Sequence, residues 1–258
     1  MEAFFSLRGT LIIVLMILGV ICVLIKPKIG VGVVLSLIIL RAGFLFEWFP
    51  LVYKLHIPQI AIFLTLIAWL LHIGRYPLRF NTDLILLVLF FFVICASRYF
   101  FGTPIFDNDI ANDFLREFLI FFLIIQVIRT PKEVRQMLWL LVGLYLFLEL
   151  RAYYLYKTDY MDIALPNYQL VNRNGFANTL AAIFPLAYIL GRSSKKLLFK
   201  GLGLCTALWC IIGVILTYSR AGLLALGVAM VTLLFFEKTR SGTSSLVWSL
   251  PLNVGSFP

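Results

Sequence analysis

The chain has 258 residues, of which 62% are hydrophobic and 13% charged, with a formal net charge of +10. Globular domains average roughly 45–50% apolar and about 25% charged residues, so this composition excludes a soluble enzyme, a disulfide scaffold and a disordered chain. The apolar excess lies in long runs almost free of charge, which defines an all-α polytopic membrane protein, and the positive charge then belongs to basic loops rather than to a nucleic-acid surface.

A membrane-spanning helix needs about 20 mostly apolar residues. Nine such segments are predicted, over 9–25, 29–46, 57–74, 82–100, 113–129, 136–156, 175–191, 197–217 and 220–237. The first ends at Lys26-Pro27-Lys28 without a small-residue cleavage site, so it reads as a retained span and not as a signal peptide. The longest connection, 157–174, is too short for a domain of its own. Residues 1–240 therefore read as a single transmembrane domain and 241–258 as an atypical C-terminal tail.

With nine spans, the loops sort by charge. One side collects thirteen of the 22 basic residues, among them Lys26, Lys28, Arg129, Lys132, Arg135 and Lys195, and only three of the 12 acids. The positive-inside rule makes that side cytoplasmic. The N-terminus is then external, the C-terminus internal, and 98–112, 157–174 and the tight turn at Ser219–Arg220 face outward. All four cysteines (Cys22, Cys95, Cys205, Cys210) fall in spans, where burial as small apolar residues is expected. Only two histidines, His56 and His72, are present, with no Cys-x-x-Cys and no phosphate-binding glycine loop. No metal and no cofactor is expected.

Charge inside a span costs about 2.5–3.5 kcal/mol per residue on insertion scales, so the exceptions are informative. Arg41, Glu149 and Arg151 are expected to snorkel to an interface or to pair with each other. Arg116 and Arg220 lie at external helix ends beside polar neighbours. Arg220 follows Thr217-Tyr218-Ser219, and a guanidinium beside hydroxyls suits bidentate phosphate contact. Asn174 is expected to cap the seventh span. Asn178 is read on one face with Ala181 and Pro185, bonding a neighbouring helix or lining a cavity. The loop Ile105-Phe106-Asp107-Asn108-Asp109 reads as solvated acid. Arg116, Arg151, Arg173 and Arg220 would give the external face what a diphosphate-bearing lipid requires.

Two stretches carry a resemblance. Val171-Asn-Arg-Asn-Gly-Phe-Ala-Asn-Thr-Leu-Ala-Ala-Ile-Phe-Pro-Leu-Ala-Tyr188 and Leu216-Thr-Tyr-Ser-Arg-Ala-Gly-Leu-Leu-Ala-Leu-Gly227 resemble the paired signature of the O-antigen ligase and polymerase superfamily. Arg116-Glu-Phe-Leu, Thr130-Pro-Lys-Glu-Val-Arg and the aromatic span 137–156 are similar to the branch of probable O-glycosylation ligases associated with exosortase systems. The family-like region is about 95–240. The resemblance implies a helical bundle of the membrane glycosyltransferase type in a bacterial inner membrane. It implies transfer of a glycan from a polyprenyl diphosphate donor to a glycan, lipid or protein acceptor hydroxyl on the external face, without metal. The resemblance puts diphosphate contact on Arg220 and Arg116; Ser219, Tyr218, Arg151, Arg173, Asn174 and Asn178 complete the set of diphosphate or glycan candidates.

This chain departs from the pattern in two ways. The branch reads Asp-Asn-Asn where Asn172-Arg173-Asn174 stands. Its members also run on into an external loop with a histidine, so a C-terminally truncated member is expected here, with catalytic residues unassigned. The alternatives are a transporter, or a non-catalytic membrane scaffold, for a lipid-linked glycan.

Overall fold

A computed structural model of the chain describes residues 18–41, 57–100, 109–159 and 173–242. Among these lie nine helical segments and no strand: α1 (18–25), α2 (Pro27–Arg41), α3 (Ile57–Leu71), α4 (Thr82–Phe100), α5 (Asp109–Val127), α6 (Pro131–Asp159), α7 (Arg173–Arg192), α8 (Leu197–Leu216) and α9 (Arg220–Gly242). The start of the first expected span, His56, the loop at 105–108, Asn172 and the tail from 243 lie outside the described residues.

Among the described residues, three stretches are long and apolar enough to cross a membrane: Pro131–Tyr154, Arg173–Arg192 and Leu197–Leu216. Twenty residues at 1.5 Å rise reach about 30 Å, the thickness of a hydrocarbon core. Four further apolar helices are shorter, Pro27–Leu40, Ile57–Leu71, Thr82–Ser97 and Arg220–Phe235. Much of the outer surface is apolar. On α4, Leu86, Leu89, Phe90 and Val93 are exposed, and on α9 Leu224, Val228, Val231 and Phe235 are exposed. Continuous apolar surface of this kind is rare on a water-soluble monomer and has no cost against lipid.

The chain divides into two compact units, Met1–Leu141 and Val142–Pro258. In the first, α2 and α3 touch where Gly30 meets Thr65. A Cβ on Gly30 would stand 2.6 Å from Thr65 Oγ1, so no other residue fits without a shift. Val31, Val34, Ile62, Trp69, Leu123 and Val127 form the buried centre between α2, α3 and α5.

Polar side chains stitch the ends of this unit. The Gln126 amide, fully buried, reads the extended segment before α4 as a strand partner would. It accepts from Arg79 N–H and donates to Arg79 O, both at 2.8 Å. Asn81 caps α4 by accepting from Leu84 N–H at 2.9 Å. Thr130-Pro131-Lys132-Glu133 is a capping box. Thr130 Oγ1 accepts from Glu133 N–H at 3.3 Å, and Glu133 Oε2 accepts from Thr130 N–H at 3.2 Å and Arg129 N–H at 2.9 Å. Pro131 takes the first helical position, where its missing N–H costs nothing. Glu133 also forms an ion pair with Lys28. Arg129 donates to Pro77 O at 2.7 Å and lies over the Tyr76 ring, 5.1 Å from its centroid.

The second unit is built from glycine contacts. Helix α8 runs back along α7, and a Cβ on Gly203 would lie 2.5 Å from Gly191 Cα and 2.8 Å from Ala187 O. The two backbones touch. Nearer the other end, Leu180 fills the space above Gly213, and a Cβ there would meet Leu180 Cδ1 at 2.6 Å. Helix α9 meets α7 the same way, with Gly222 against Ala177. Small residues at such crossings are the usual basis of helix packing in lipid, where burial itself drives nothing.

The expectation that the cysteines are buried fails for two of the four. Cys210 is buried, Cys95 is half-buried, and Cys22 and Cys205 are exposed on their helices. A weakly polar thiol is tolerated on an apolar outer face, so hydropathy alone cannot separate the two placements.

Candidate functional site

The two sequence motifs meet. Helices α7 and α9 begin at the same end of the second unit, and their first turns are joined by a hydrogen bond from Ser219 Oγ to Asn174 Oδ1 at 2.8 Å. Ser219 Oγ also accepts from Gly222 N–H at 3.1 Å, the geometry of an N-cap. The turn from α8 to α9 is only Thr217-Tyr218-Ser219. Thr217 is buried and its hydroxyl donates to Val214 O at 2.7 Å. Tyr218 completes the reversal with a left-handed backbone, φ 50°, and its ring is 70% exposed.

Arg220 and Arg173 each open a helix, α9 and α7, and both are exposed. Two helix N-termini carry partial positive charge at this end, and two guanidinium groups add to it. An anion is favoured there. Tyr218 stands beside them, with an apolar ring and a polar tip.

Ser219 is placed differently from its expected ligand role. It is 2% exposed, and its hydroxyl is committed to Asn174 and to the α9 cap. The expected cap at Asn174 also moves. Helix α7 already includes Arg173, so Asn174 lies within the first turn and accepts from Ser219. Asn178 does not share a face with Ala181. Asn178 is exposed and Ala181 buried, because residues three apart differ by about 60° around a helix and the edge of the packed face falls between them.

Arg151 is half-buried on α6, with its guanidinium 5.8 Å from the Tyr154 ring. Arg116 is half-buried on α5 and belongs to the first unit.

Glu149 contradicts the expectation that it snorkels or pairs. It is 4% exposed, and the buried Cys210 thiol is the partner its carboxyl has. It borders a void of about 10 Å³ lined with Tyr153, Phe176, Trp209, Gly213 and Leu216. That is room for one water. Tyr153 and Trp209 pack edge to face there, 5.5 Å between centroids. Phe176 and Leu216 lie within one helical turn of Asn174 and Thr217, so this carboxyl sits just beneath the polar end. Hydropathy marked Glu149 as unusual, but span six is apolar on every side and gives no clue to which face packs.

No family model matches the chain, and neither does any curated protein or solved structure.

Proposed function

We propose that the chain is a multi-pass membrane glycosyltransferase of the O-antigen ligase and polymerase type. The four shorter apolar helices, α5 and the first predicted segment (9–25) cross the membrane together with the three long ones, giving nine spans in a bacterial inner membrane, with the N-terminus external and the C-terminus cytoplasmic. A polyprenyl diphosphate-linked glycan is the donor, and a glycan, lipid or protein hydroxyl is the acceptor. The observation that carries the reading is the Ser219–Asn174 hydrogen bond. It ties the two family-like motifs into one end, where Arg173 and Arg220 stand exposed at paired helix N-termini.

In this reading Arg220 and Arg173 hold the diphosphate, and Tyr218 packs on the sugar or the lipid. The acceptor oxygen bonds to the anomeric carbon, and its proton passes to the departing diphosphate. The bond from that carbon to the diphosphate breaks, and the charge that builds on the leaving group is met by the guanidinium groups. The diphosphate is a good leaving group already, so the chemistry calls for no metal.

A second reading, a transporter or non-catalytic scaffold for the same lipid-linked glycan, draws on Glu149. A carboxyl buried in a span is a common mark of transport pathways.

The test uses the full chain in vesicles with a polyprenyl diphosphate oligosaccharide and an acceptor glycan. Release of the free lipid diphosphate is followed together with donor binding. Arg220→Lys keeps the charge but loses the fork, and turnover is expected to fall about tenfold or more. Full turnover with Arg220→Lys and Arg220→Ala would remove Arg220 from the site. Donor movement across the bilayer without glycan transfer would favour the second reading.

A further inference from the structure

The surroundings of Glu149 decide its charge. On α8 the fully buried Cys210 thiol meets its carboxyl, and a Cβ on Gly213 would stand 3.9 Å from Glu149 Oε1. On α7, Phe176 borders the adjoining void and Leu180 fills the space at Gly213. On α6 itself, Tyr153 lies one turn on and borders the same void. Arg151 is two positions away, which turns it about 200° round the helix, and its guanidinium lies 5.8 Å from the Tyr154 ring. No residue of α9 lines the void. Among the described residues, no cation pairs with Glu149.

An ionised carboxylate buried without a cation is strongly disfavoured, and a group so placed keeps its proton instead. The ionised form has about four acceptor sites, and a thiol is a weak donor to only one of them. The void of about 10 Å³ admits one water. That is enough to accept the proton and too little to hydrate the anion left behind.

The seating of α6 makes loss of the proton consequential. Helices α7 and α8 touch through their backbones at Gly191 and Gly203. Helix α6 meets α8 through side chains, Tyr153 edge to face on Trp209 and Glu149 on Cys210. Parting these side chains to admit water leaves the glycine joint intact.

We propose that Glu149 is a proton-binding site that latches α6 onto α8. With the proton bound, the carboxyl stays in its apolar seat and the void stays closed. On release, the carboxyl O–H breaks, the proton passes to a water entering the void, and the carboxylate left behind holds further water there. Helix α6 then parts from α8 beneath Asn174 and Thr217, since Phe176 and Leu216 line the same void. The proposal does not rest on the glycan reading, because the carboxyl is buried whatever the polar end above it binds.

The experiment compares the full chain with Glu149→Gln in detergent. Infrared spectra of the unaltered chain should show the carbonyl band of a neutral carboxylic acid that the variant lacks. Thermal unfolding is then followed against pH. In the unfolded chain the carboxyl ionises above about pH 4.3, whereas the folded chain holds the proton. The unaltered chain should therefore lose stability relative to Glu149→Gln as pH rises from about 5, by up to about tenfold in the folding constant per pH unit, until the folded site releases its proton. Opening is read by deuterium uptake in the peptides carrying Glu149 and Phe176, with the two chains compared at equal pH. Uptake should match at about pH 6 and be severalfold faster in the unaltered chain at about pH 9. If Glu149→Gln does not fold, Glu149→Met has similar length and is read in the same way. An unchanged infrared band in the variant, or a stability difference that does not vary with pH, would overturn the proton site. Equal uptake at both pH values would overturn the latch.

Discussion

The two units hold their helices by different means. In the first, polar side chains at helix ends do the joining: the Gln126 amide on Arg79, the Thr130–Glu133 capping box, and Arg129 on the Pro77 carbonyl. In the second, glycines let helices close up: the Gly191 and Gly203 backbones touch, Gly213 takes the Leu180 side chain and Gly222 the Ala177 methyl. At its motif end Asn174 and Ser219 add a polar tie to this packing. Polar joints tolerate variation in the packed face but are sensitive to loss of one atom. Glycine joints are indifferent to the polar surface and sensitive to any gain in volume.

The largest effect should come from adding volume where the backbones touch. Gly203→Val places side-chain carbons against Gly191 and Ala187, and a loss of about 3 kcal/mol is expected, read as thermal unfolding in detergent. Gly201→Val has nothing within 4 Å of its Cβ and serves as the control. If both behave alike, the glycine joint is not what holds α7 to α8.

In the first unit the sensitive change is a deletion of polar atoms. Gln126→Leu keeps the size but strands Arg79 N–H and O, and a loss of about 2 kcal/mol is expected by the same measurement. An unchanged midpoint would mean that water replaces the amide.

Glu149 breaks the pattern of the second unit and sharpens it. Replacing a buried carboxyl whose partner is a weakly donating thiol, Cys210, should not weaken the fold. Glu149→Gln is expected to be neutral or to stabilise by about 1 kcal/mol. A clear loss would reveal a partner held through the adjoining void. The smallest effect is at the turn: Tyr218→Gly relieves a left-handed backbone and should stabilise by about 0.5–1 kcal/mol. If it also lowers donor binding while the fold is intact, the Tyr218 ring touches substrate.

Hydropathy placed most helices closely because each apolar run is cut by residues that stop a helix or resist lipid. Asn81 precedes α4, Arg129-Thr130-Pro131 separates α5 from α6, and Ser193–Lys196 separates α7 from α8. Thr130-Pro-Lys-Glu has the Thr-x-x-Glu spacing of a capping box, a local signal that the sequence reading of this stretch did not use. What the sequence could not reveal is pairing across distance. Gln126 is one amide in an apolar run, and its partner lies 47 positions away. The meeting of Asn174 with Ser219 spans 45 positions and rests on tertiary packing. Ser219 carried a readable signal, a hydroxyl residue just ahead of a helix, but the same residue type suits ligand contact. The burial of Glu149 depends on which face of α6 packs, and periodicity is silent where every face is apolar.

The touching backbones of Gly191 and Gly203 also bear on how the chain assembles. These residues are twelve positions apart, on either side of a four-residue turn. Bringing them together closes a very short loop, so the entropic penalty is small and the contact forms early. The α7–α8 pair should therefore enter the bilayer as a preformed hairpin. Helix α9 then docks onto a groove that already exists, and the Ser219–Asn174 bond closes last. A released chain ending at residue 216 would already hold the Gly191–Gly203 contact but lack the paired ends that α9 supplies.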